Sequence, residues 1–243
     1  MTPQDSAHQP CAPRRYATRP ILLFDVNETL LDLAALDPLF EDRLGNVALR
    51  REWFAQMLQL SFVGGLTDRY INFTDAQLAA LEMVAQRAGV EVSDDDRQMI
   101  VAAMSRLPPH PEAPTALERL RSAGFRMATL TNSVGTVARA QMKNAGIAHL
   151  FDQVLSADDV SRLKPAAAPY RMAAAAFGVP VEQTCLIAAH AWDISGALAV
   201  GCRAAFVRRP GAVLSPVGPG PEIIGSDLAE VADALIRLKS PSS

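Results

Sequence analysis

Several short apolar runs in this sequence end in polar side chains of the kinds used for nucleophilic and acid–base chemistry. The stretch ILLFDVNETL, residues 21–30, ends an apolar run at Asp25 and continues with Asn27 and Thr29. An apolar run without a polar face is typical of a buried strand. A carboxylate at the carboxyl end of such a strand lies where open α/β sheets bind their ligands. The structural alternative is that Asp25 only caps a turn or a helix.

Further apolar runs lead into polar groups of the same kind. These groups are Thr131, Asn132 and Ser133, then Lys164, and then His190, Trp192 and Asp193. Because the carboxyl ends of parallel strands lie at one edge of a sheet, we expect these side chains to converge with Asp25. Taken singly, each residue also has a structural explanation. Thr131 or Ser133 could cap a helix, as could Asp193, and Lys164 could be a solvated surface lysine.

The elements that must position these residues alternate between strand and helix. Strands are predicted at residues 21–24, 126–130, 153–155, 185–189 and 204–207. Helices that end at or next to glycine are predicted at residues 114–123, 134–145, 170–177 and 194–200. This alternation predicts a parallel sheet with right-handed crossovers, which is a doubly wound, Rossmann-like α/β fold. An irregular loop over residues 207–220 and a last helix over 227–238 complete the prediction.

Residues 36–107 interrupt this alternation. Helices are predicted there at residues 47–62, 75–88 and 94–106. The proline-rich stretch LPPHPEAP, residues 107–114, is a stiff connector back to the sheet. The predicted domains are a disordered tail (1–19), a Rossmann-like core (20–35 and 108–243) and a helical cap (36–107) inserted after the first strand.

Composition and charge exclude several classes of protein. The 243 residues are 49% hydrophobic and 20% charged, which is typical of a globular protein with a large core. A formal net charge of −3 provides no basic surface for nucleic acid. The apolar segment after Arg14 and Arg15 is too short for a signal peptide, and no run is long enough to cross a bilayer, so we predict a cytoplasmic protein. The three cysteines form no CxxC or Cys/His cluster, which indicates a reducing compartment and no structural zinc site.

The motifs DVNETLLD, LTNS, LKP and AAHAWDISGA, in this order around a helical insert, resemble the haloacid dehalogenase superfamily. The resemblance extends over residues 20–238, and the AWD of residues 191–193 is similar to the L-2-haloacid dehalogenase branch. It implies a haloacid dehalogenase-like core with a cap. The implied reaction is hydrolysis of short 2-haloalkanoic acids to 2-hydroxy acids and halide, without metal or cofactor and with inversion at the α-carbon.

The resemblance also implies a role for each catalytic residue. Asp25 is the expected nucleophile, which forms an aspartyl ester that water then hydrolyses. Lys164 is expected to keep Asp25 ionised, and Asp193 to orient or deprotonate the water. Thr29 and Thr131 are expected to offer hydroxyls to Asp25 and to the substrate carboxylate.

In the family that this chain resembles, an arginine of the cap and an asparagine of the second motif receive the halide. Asn132 matches the asparagine. Arg51, within ALRR, is the expected arginine, with Arg50 as the alternative; Arg51 also has an interpretation as a solvated helix residue. The other residues expected to contact substrate are Asn27, Phe73, Ser133, Tyr170, His190 and Trp192. Phe73 is equally well explained as part of the core of the cap.

Position 27 separates two chemistries within the superfamily. Its phosphatases resemble D-x-D, in which the second aspartate protonates the leaving oxygen and a magnesium ion screens the phosphate. Asn27 is an amide and cannot act as a general acid near neutral pH, whereas a halide leaves without a proton. The alternatives left open are a magnesium-dependent phosphatase of the same fold and a catalytically silent protein that binds a small carboxylate.

Three positions depart from the best-known dehalogenases. Asn27 stands where those dehalogenases commonly have a tyrosine, and Ala188 stands where they often have a serine. His190 stands where they have an asparagine. His190 either keeps the hydrogen-bonding role as a neutral imidazole or titrates in the working pH range. These departures leave the preferred halogen and chain length open, with small haloacetates as one option. If the chain assembles, the family resemblance favours a homodimer.

Overall fold

The centre of the fold is one parallel sheet. The computed structural model describes residues 19–238, so the predicted tail, residues 1–19, lies outside the described range except for Arg19. The described strands are β1 (Ile21–Phe24), β2 (Met127–Thr131), β3 (Gln153–Ser156), β4 (Thr184–Ala188), β5 (Arg203–Val207) and β6 (Ile223–Gly225). Neighbouring strands pair in parallel in the order β3-β2-β1-β4-β5-β6. The predicted doubly wound, Rossmann-like sheet is confirmed.

Helices cover both faces of this sheet. The described helices are α1 (Asp37–Leu44), α2 (Ala48–Leu66), α3 (Phe73–Ala88), α4 (Asp94–Met104), α5 (Ala113–Ser122), α6 (Gly135–Asn144), α7 (Ala167–Ala176), α8 (Ala191–Ala199) and α9 (Leu228–Arg237). Short 3-10 segments lie at Leu33–Leu36, Ala148–Leu150, Ala157–Val160 and Val181–Gln183. Helices α1 to α4 form an insert between β1 and α5, and the other five helices connect or flank the strands. Within residues 19–238, no helix combines the length and apolar character needed to cross a lipid bilayer.

Alternate residues of β1 enter two separate hydrophobic cores. Leu22 and Phe24 pack into the larger core, which also contains residues of the insert, α5 and α9. Ile21 and Leu23 pack into the smaller core with residues of α7 and α8. Successive residues of a strand point to opposite faces of the sheet, so a strand covered on both faces requires an uninterrupted apolar run.

The helical insert shares the larger hydrophobic core with the sheet and also has a polar connection to it. The buried Trp53 of α2 donates from Nε1 to the Gln77 carbonyl of α3 at 2.9 Å. Ser93 and Asp96 cap the start of α4, because the side chain of each accepts a hydrogen bond from the backbone N–H of the other. Gln141 of α6 donates to the Met104 carbonyl at the end of α4 at 2.8 Å, which joins the insert to the core. The division into a core and a cap at residues 36–107 stays a proposal.

Besides the 3-10 segments, one helix and one strand of the described residues are not predicted by the sequence patterns. Helix α1 is short, and it ends at Gly45 with a left-handed φ of 67°. Strand β6 has only three residues and follows a glycine- and proline-rich loop; it is recognised only by its pairing with β5, in which Ile223 lies opposite Ala205. Helix α2 continues past the predicted end at residue 62 to Leu66, and its Gly64 lies at a close contact. A Cβ atom at Gly64 would come within 2.8 Å of the Arg69 carbonyl oxygen.

Gly196 in α8 allows a close approach between α8 and the segment that carries Lys164. A Cβ atom there would lie 2.5 Å from the Cβ of Pro165 and 2.7 Å from the hydroxyl of Tyr170. We predict that Gly196→Ala lowers the free energy of unfolding by about 1–3 kcal/mol, because overpacking forces one of these elements to shift. Urea denaturation measures this loss.

Gly65→Ala in α2 is the matched control, since nothing lies within 4 Å of its added Cβ atom. This variant should keep the stability of the wild type or gain up to about 1 kcal/mol from helix propensity. A Gly196→Ala protein as stable as the wild type would contradict the close packing of α8.

Candidate active site

The sheet brings the predicted polar residues to one edge. The strand order reverses between β1 and β4, and open α/β sheets bind ligands at the carboxyl ends of strands at such a reversal. Asp25 directly follows β1, and its backbone N–H donates to the Ile187 carbonyl of β4 at 3.0 Å. Thr131 ends β2, Lys164 lies in the segment after β3, and Asp193 lies in the first turn of α8. The predicted convergence of these elements therefore takes place.

Asp25, Lys164 and Asp193 form a buried triad of charged groups. Lys164 Nζ donates to Asp25 Oδ1 at 2.9 Å and to Asp193 Oδ2 at 2.6 Å. Thr29 donates from Oγ1 to the second oxygen of Asp25 at 2.6 Å, and the Tyr170 hydroxyl donates to Oδ1 of Asp193 at 2.6 Å. The side chains of Lys164 and Asp193 are fully buried, and that of Asp25 is 6% exposed. Each carboxylate oxygen thus has a donor, as buried charges require.

The environment shifts the pKa values of the two carboxylates in opposite directions. Burial alone would raise the pKa of Asp25, but the charge of Lys164, aided by His190 and by the Thr29 hydrogen bond, lowers it. For Asp193, burial prevails and, with the charge of Asp25, raises the pKa despite the attraction of Lys164. Burial opposes the charge of Lys164, yet the two carboxylates together raise its pKa. The site therefore holds Asp25 as an ionised carboxylate and Asp193 as a more basic one. Two carboxylates with pKa values shifted apart in this way are typical of a nucleophile and a proton acceptor.

Asn132 positions the backbone of Lys164. Its Oδ1 accepts from the Lys164 N–H at 2.8 Å, and its Nδ2 donates to the Lys164 carbonyl at 3.2 Å. An amide nitrogen carries two hydrogens, so the second remains for a ligand. Thr131 Oγ1 accepts from the N–H of Ser133 at 3.1 Å, which folds the turn after β2. All three residues of this turn are buried beside the triad.

Asn27 connects the loop after β1 to α6. Its Oδ1 accepts from Gln141 Nε2 at 2.9 Å, and its Nδ2 donates to Ser133 Oγ at 3.4 Å. Gln141 also donates to the Met104 carbonyl at the end of α4. The side chain of Asn27 thus links the nucleophile loop to the insert, and its contact with substrate stays a prediction.

A cavity of about 550 Å³ opens beside the triad, between α2, the start of α8 and the loop after β5. His190 and Trp192 form one wall, with stacked rings whose centroids are 5.3 Å apart. Phe54 of α2 stacks on His190 at 5.7 Å. His190 Nε2 lies 3.7 Å from Asp25 Oδ2 and donates to the Asn27 carbonyl at 3.1 Å. His190 therefore stands between the cavity and the nucleophile.

Three residues predicted to contact substrate lie away from the cavity wall. Phe73 is buried in the core that contains the insert helices, in agreement with its structural interpretation. Tyr170 is buried behind Asp193, and Ser133 is buried in the turn after β2. Their roles at the substrate stay predictions.

Of the two cap arginines considered, Arg50 is the buried one. Its Nε donates to Asp37, and its Nη1 lies 3.9 Å from the Glu28 carboxylate. Within residues 19–238, this buried Nη1 makes no hydrogen bond. Arg51 is exposed, although both arginines border the cavity. The burial and the free donor favour Arg50, the alternative, over the expected Arg51, and the choice stays a proposal.

Three residues at the site have no counterpart among the predicted site residues. Arg209 donates from Nη2 to the Thr29 carbonyl at 2.8 Å, and His110 Nε2 lies 3.1 Å from the Glu28 carbonyl oxygen. Glu28 has a left-handed φ of 62°. Burial raises its pKa, against the charges of His190 and Arg50. No local sequence pattern marks Arg209 or His110. Glu28 lies within the first motif, DVNETLLD, but the motif assigns it no role.

Comparison with known proteins identifies the family to which this chain belongs. A profile of the haloacid dehalogenase-like hydrolases matches residues 20–201. Because this match spans more than half of the chain, the protein belongs to that family of hydrolases. The resemblance stated from the motifs is therefore confirmed.

Individual relatives place the chain near the dehalogenases of this family. (S)-2-haloacid dehalogenase 2 from Pseudomonas sp. (strain CBS-3) is 29% identical over 218 residues, which are 88% of this chain and 94% of that protein. Haloacetate dehalogenase H-2 from Moraxella sp. (strain B) is 27% identical over 186 residues, 76% of this chain and 81% of that protein. A similar solved structure is that of L-2-haloacid dehalogenase from Xanthobacter autotrophicus with chloropropionic acid covalently bound. The two structures superpose with a TM-score of 0.84 over 90% of this chain and 99% of that chain, at 22% sequence identity.

The buried triad generates a prediction about stability. Lys164→Met removes the shared cation and leaves two buried carboxylates facing each other. We predict a loss of about 3–5 kcal/mol in the free energy of unfolding at pH 7. Without the cation, the folded-state pKa values of both carboxylates rise above those of the unfolded chain, so folding binds protons and stability falls as pH rises. The loss should therefore be larger at pH 7 than at pH 5 in urea denaturation.

Lys143→Met in α6 is the control, because Lys143 is exposed. Its effect should stay within about 0.5 kcal/mol at both pH values. If Lys164→Met costs no more than this control, the triad does not hold the site together.

Proposed function

We propose that the protein is a metal-independent hydrolase that converts short 2-haloalkanoic acids into 2-hydroxy acids and halide, with inversion at the α-carbon. The observation that carries this proposal is the ionised Asp25 held by Lys164 and Thr29 beside a cavity with an aromatic wall. The names of the relatives from Pseudomonas and Moraxella agree with this choice of substrate. A cytoplasmic location and assembly as a homodimer stay predictions from the sequence.

Asp25 is suited to attack carbon. Its lowered pKa keeps it ionised, and its burial strips it of water, which would otherwise weaken it as a nucleophile. Attack of an Asp25 oxygen on the α-carbon forms the ester bond, and the halide leaves with the carbon–halogen electron pair. The ammonium group of Lys164 fixes the attacking carboxylate, a task that a divalent cation performs in other sites.

The leaving group needs no acid, and the site provides none at position 27. Both polar atoms of the Asn27 side chain are engaged by Gln141 and Ser133. The free Nη1 of Arg50, the indole N–H of Trp192 and the second hydrogen of the Asn132 amide are donors that suit a departing anion. Within the described residues, Arg50 Nη1 and Trp192 Nε1 are buried without a hydrogen-bond partner. We assign halide binding to this group of donors.

Ester formation prepares Asp193 for the second step. In the free enzyme the charge of Asp25 helps to raise the pKa of Asp193. Esterification removes that charge, while Lys164 remains 2.6 Å from Asp193. The pKa of Asp193 therefore falls on esterification, and the residue is ionised when it must accept a proton from the water that attacks the ester carbonyl. The hydrolysis restores Asp25 and releases the hydroxy acid.

Halide release tests this function. We predict release of halide from chloroacetate, (S)-2-chloropropionate or fluoroacetate in the presence of EDTA, and its loss in Asp25→Asn. Asp193→Asn should form the ester but hydrolyse it slowly, so mass spectrometry should find the chain heavier by the substrate minus its halide.

Lys143→Met, remote from the site on the exposed face of α6, is the activity control and should behave as the wild type. Magnesium-dependent phosphate release from a panel of metabolites, without halide from any haloacid, would overturn the proposal in favour of a phosphatase. Binding of a small carboxylate without turnover, unchanged in Asp25→Asn, would indicate a silent protein.

The pKa of Asp25 generates a prediction about pH. Because only ionised Asp25 attacks, kcat/KM should fall at low pH along the titration of this group in the free enzyme. Its lowered pKa places this fall below the ordinary aspartate value of about 3.9. Thr29→Val removes a hydrogen bond that favours the charged form and should move the fall to higher pH. A pH profile that starts to fall above the ordinary value, or does not respond to Thr29→Val, would contradict the assignment.

A further inference from the structure

Glu28 brings an acidic side chain to the cavity, next to Arg50 and His190. Its carboxylate lies 3.9 Å from Arg50 Nη1 and 3.7 Å from His190 Nε2. The side chain is 34% exposed and borders the cavity, as does Arg50. An anion that enters the cavity and approaches Arg50 therefore comes next to a group of its own charge. The chemistry proposed above gives this acid no role.

The backbone holds Glu28 in this place at a cost. Its φ of 62° is left-handed, a conformation that glycine adopts freely and that strains other residues. His110 contacts the Glu28 carbonyl at 3.1 Å, and Arg209 donates to the next carbonyl, that of Thr29, at 2.8 Å. The surrounding structure thus fixes a non-glycine residue where glycine would be less strained.

Arg50 lies between two carboxylates. Asp37 accepts from Nε on one side, while Glu28 faces Nη1 from a distance too long for a hydrogen bond. Nη1 therefore keeps its donor free, but its positive charge is already compensated. An arginine in this state binds a weakly hydrated anion less tightly than an uncompensated one.

We propose that Glu28 is a positioning residue that competes with halide for Arg50 and so weakens halide binding at the site. This inference rests on the proposed function, in which Arg50 receives the halide. When the carbon–halogen bond breaks, the halide accepts from Nη1 beside the Glu28 carboxylate, and repulsion between the two anions promotes its release. Glu28 thereby limits inhibition of the enzyme by its halide product.

Bromide binding to the substrate-free enzyme tests this role. Bromide that binds the folded protein raises its melting temperature, so a titration with sodium bromide, at ionic strength held constant with sodium methanesulfonate, gives a dissociation constant. We expect Glu28→Gln to lower this constant at least about fivefold, because unit charges about 4 Å apart repel each other by that factor even at the dielectric constant of bulk water. Bromide should also inhibit haloacid turnover at correspondingly lower concentration.

A second variant guards against an effect of misfolding. Glu28→Gly removes the same charge and suits the left-handed backbone, so it should fold and also bind bromide more tightly. Glu52→Gln, the same substitution at an exposed residue of α2, should leave bromide affinity unchanged. Arg50→Met should abolish the tight binding in the Glu28→Gln background. Damage to the fold would weaken binding, so a gain in affinity reports on charge.

Unchanged or weaker bromide binding in both Glu28 variants would overturn the inference, as would equal tightening by Glu52→Gln. The measurement needs no substrate, so its failure is distinct from that of the proposed function. Tighter bromide binding without halide release from any haloacid would support Glu28 as a competing anion and count against the reaction. Haloacid turnover with unchanged bromide affinity would overturn the role of Glu28 alone.

Discussion

Two buried carboxylates share one buried ammonium group, and the geometry of the site depends on this interaction. Removing three charges from water is unfavourable unless each is paired and hydrogen-bonded. Thr29 and Tyr170 supply the remaining donors to Asp25 and Asp193, and Asn132 fixes the backbone that carries Lys164. The polar residues at four strand ends are thus parts of one arrangement that is stable only when it is complete.

The same arrangement explains how one site can perform two different steps. With two carboxylates and one cation, the triad carries a net negative charge, and Asp25 holds this charge because Lys164, His190 and Thr29 favour its ionised form. Esterification neutralises Asp25 and leaves Lys164 and Asp193 as a simple ion pair. The proton acceptor is therefore activated by the step that precedes its use. Neither step requires a proton to be delivered to the leaving group.

The sequence predicts the elements that parallel strands bring together and misses what distant contacts decide. Asp25, Lys164 and Asp193 were predictable because the carboxyl ends of parallel strands share one edge. The engagement of Asn27 by Gln141 joins residues 114 positions apart, and no local pattern contains it. The same holds for Arg209, which supports the nucleophile loop from beyond β5. The choice between Arg50 and Arg51 depends on the rotation of α2, which a helical pattern with apolar residues at neighbouring positions does not fix.

The origin of the hydroxyl oxygen in the product shows whether Asp25 or water attacks the α-carbon. A single turnover of excess enzyme with chloroacetate or (S)-2-chloropropionate, in water enriched in the heavy oxygen isotope, separates attack by Asp25 from attack by water. We predict an unlabelled hydroxy acid and one heavy oxygen in the peptide that carries Asp25, because water attacks the ester carbonyl. A labelled hydroxy acid with an unlabelled Asp25 would show that water attacks the α-carbon directly and would contradict the account.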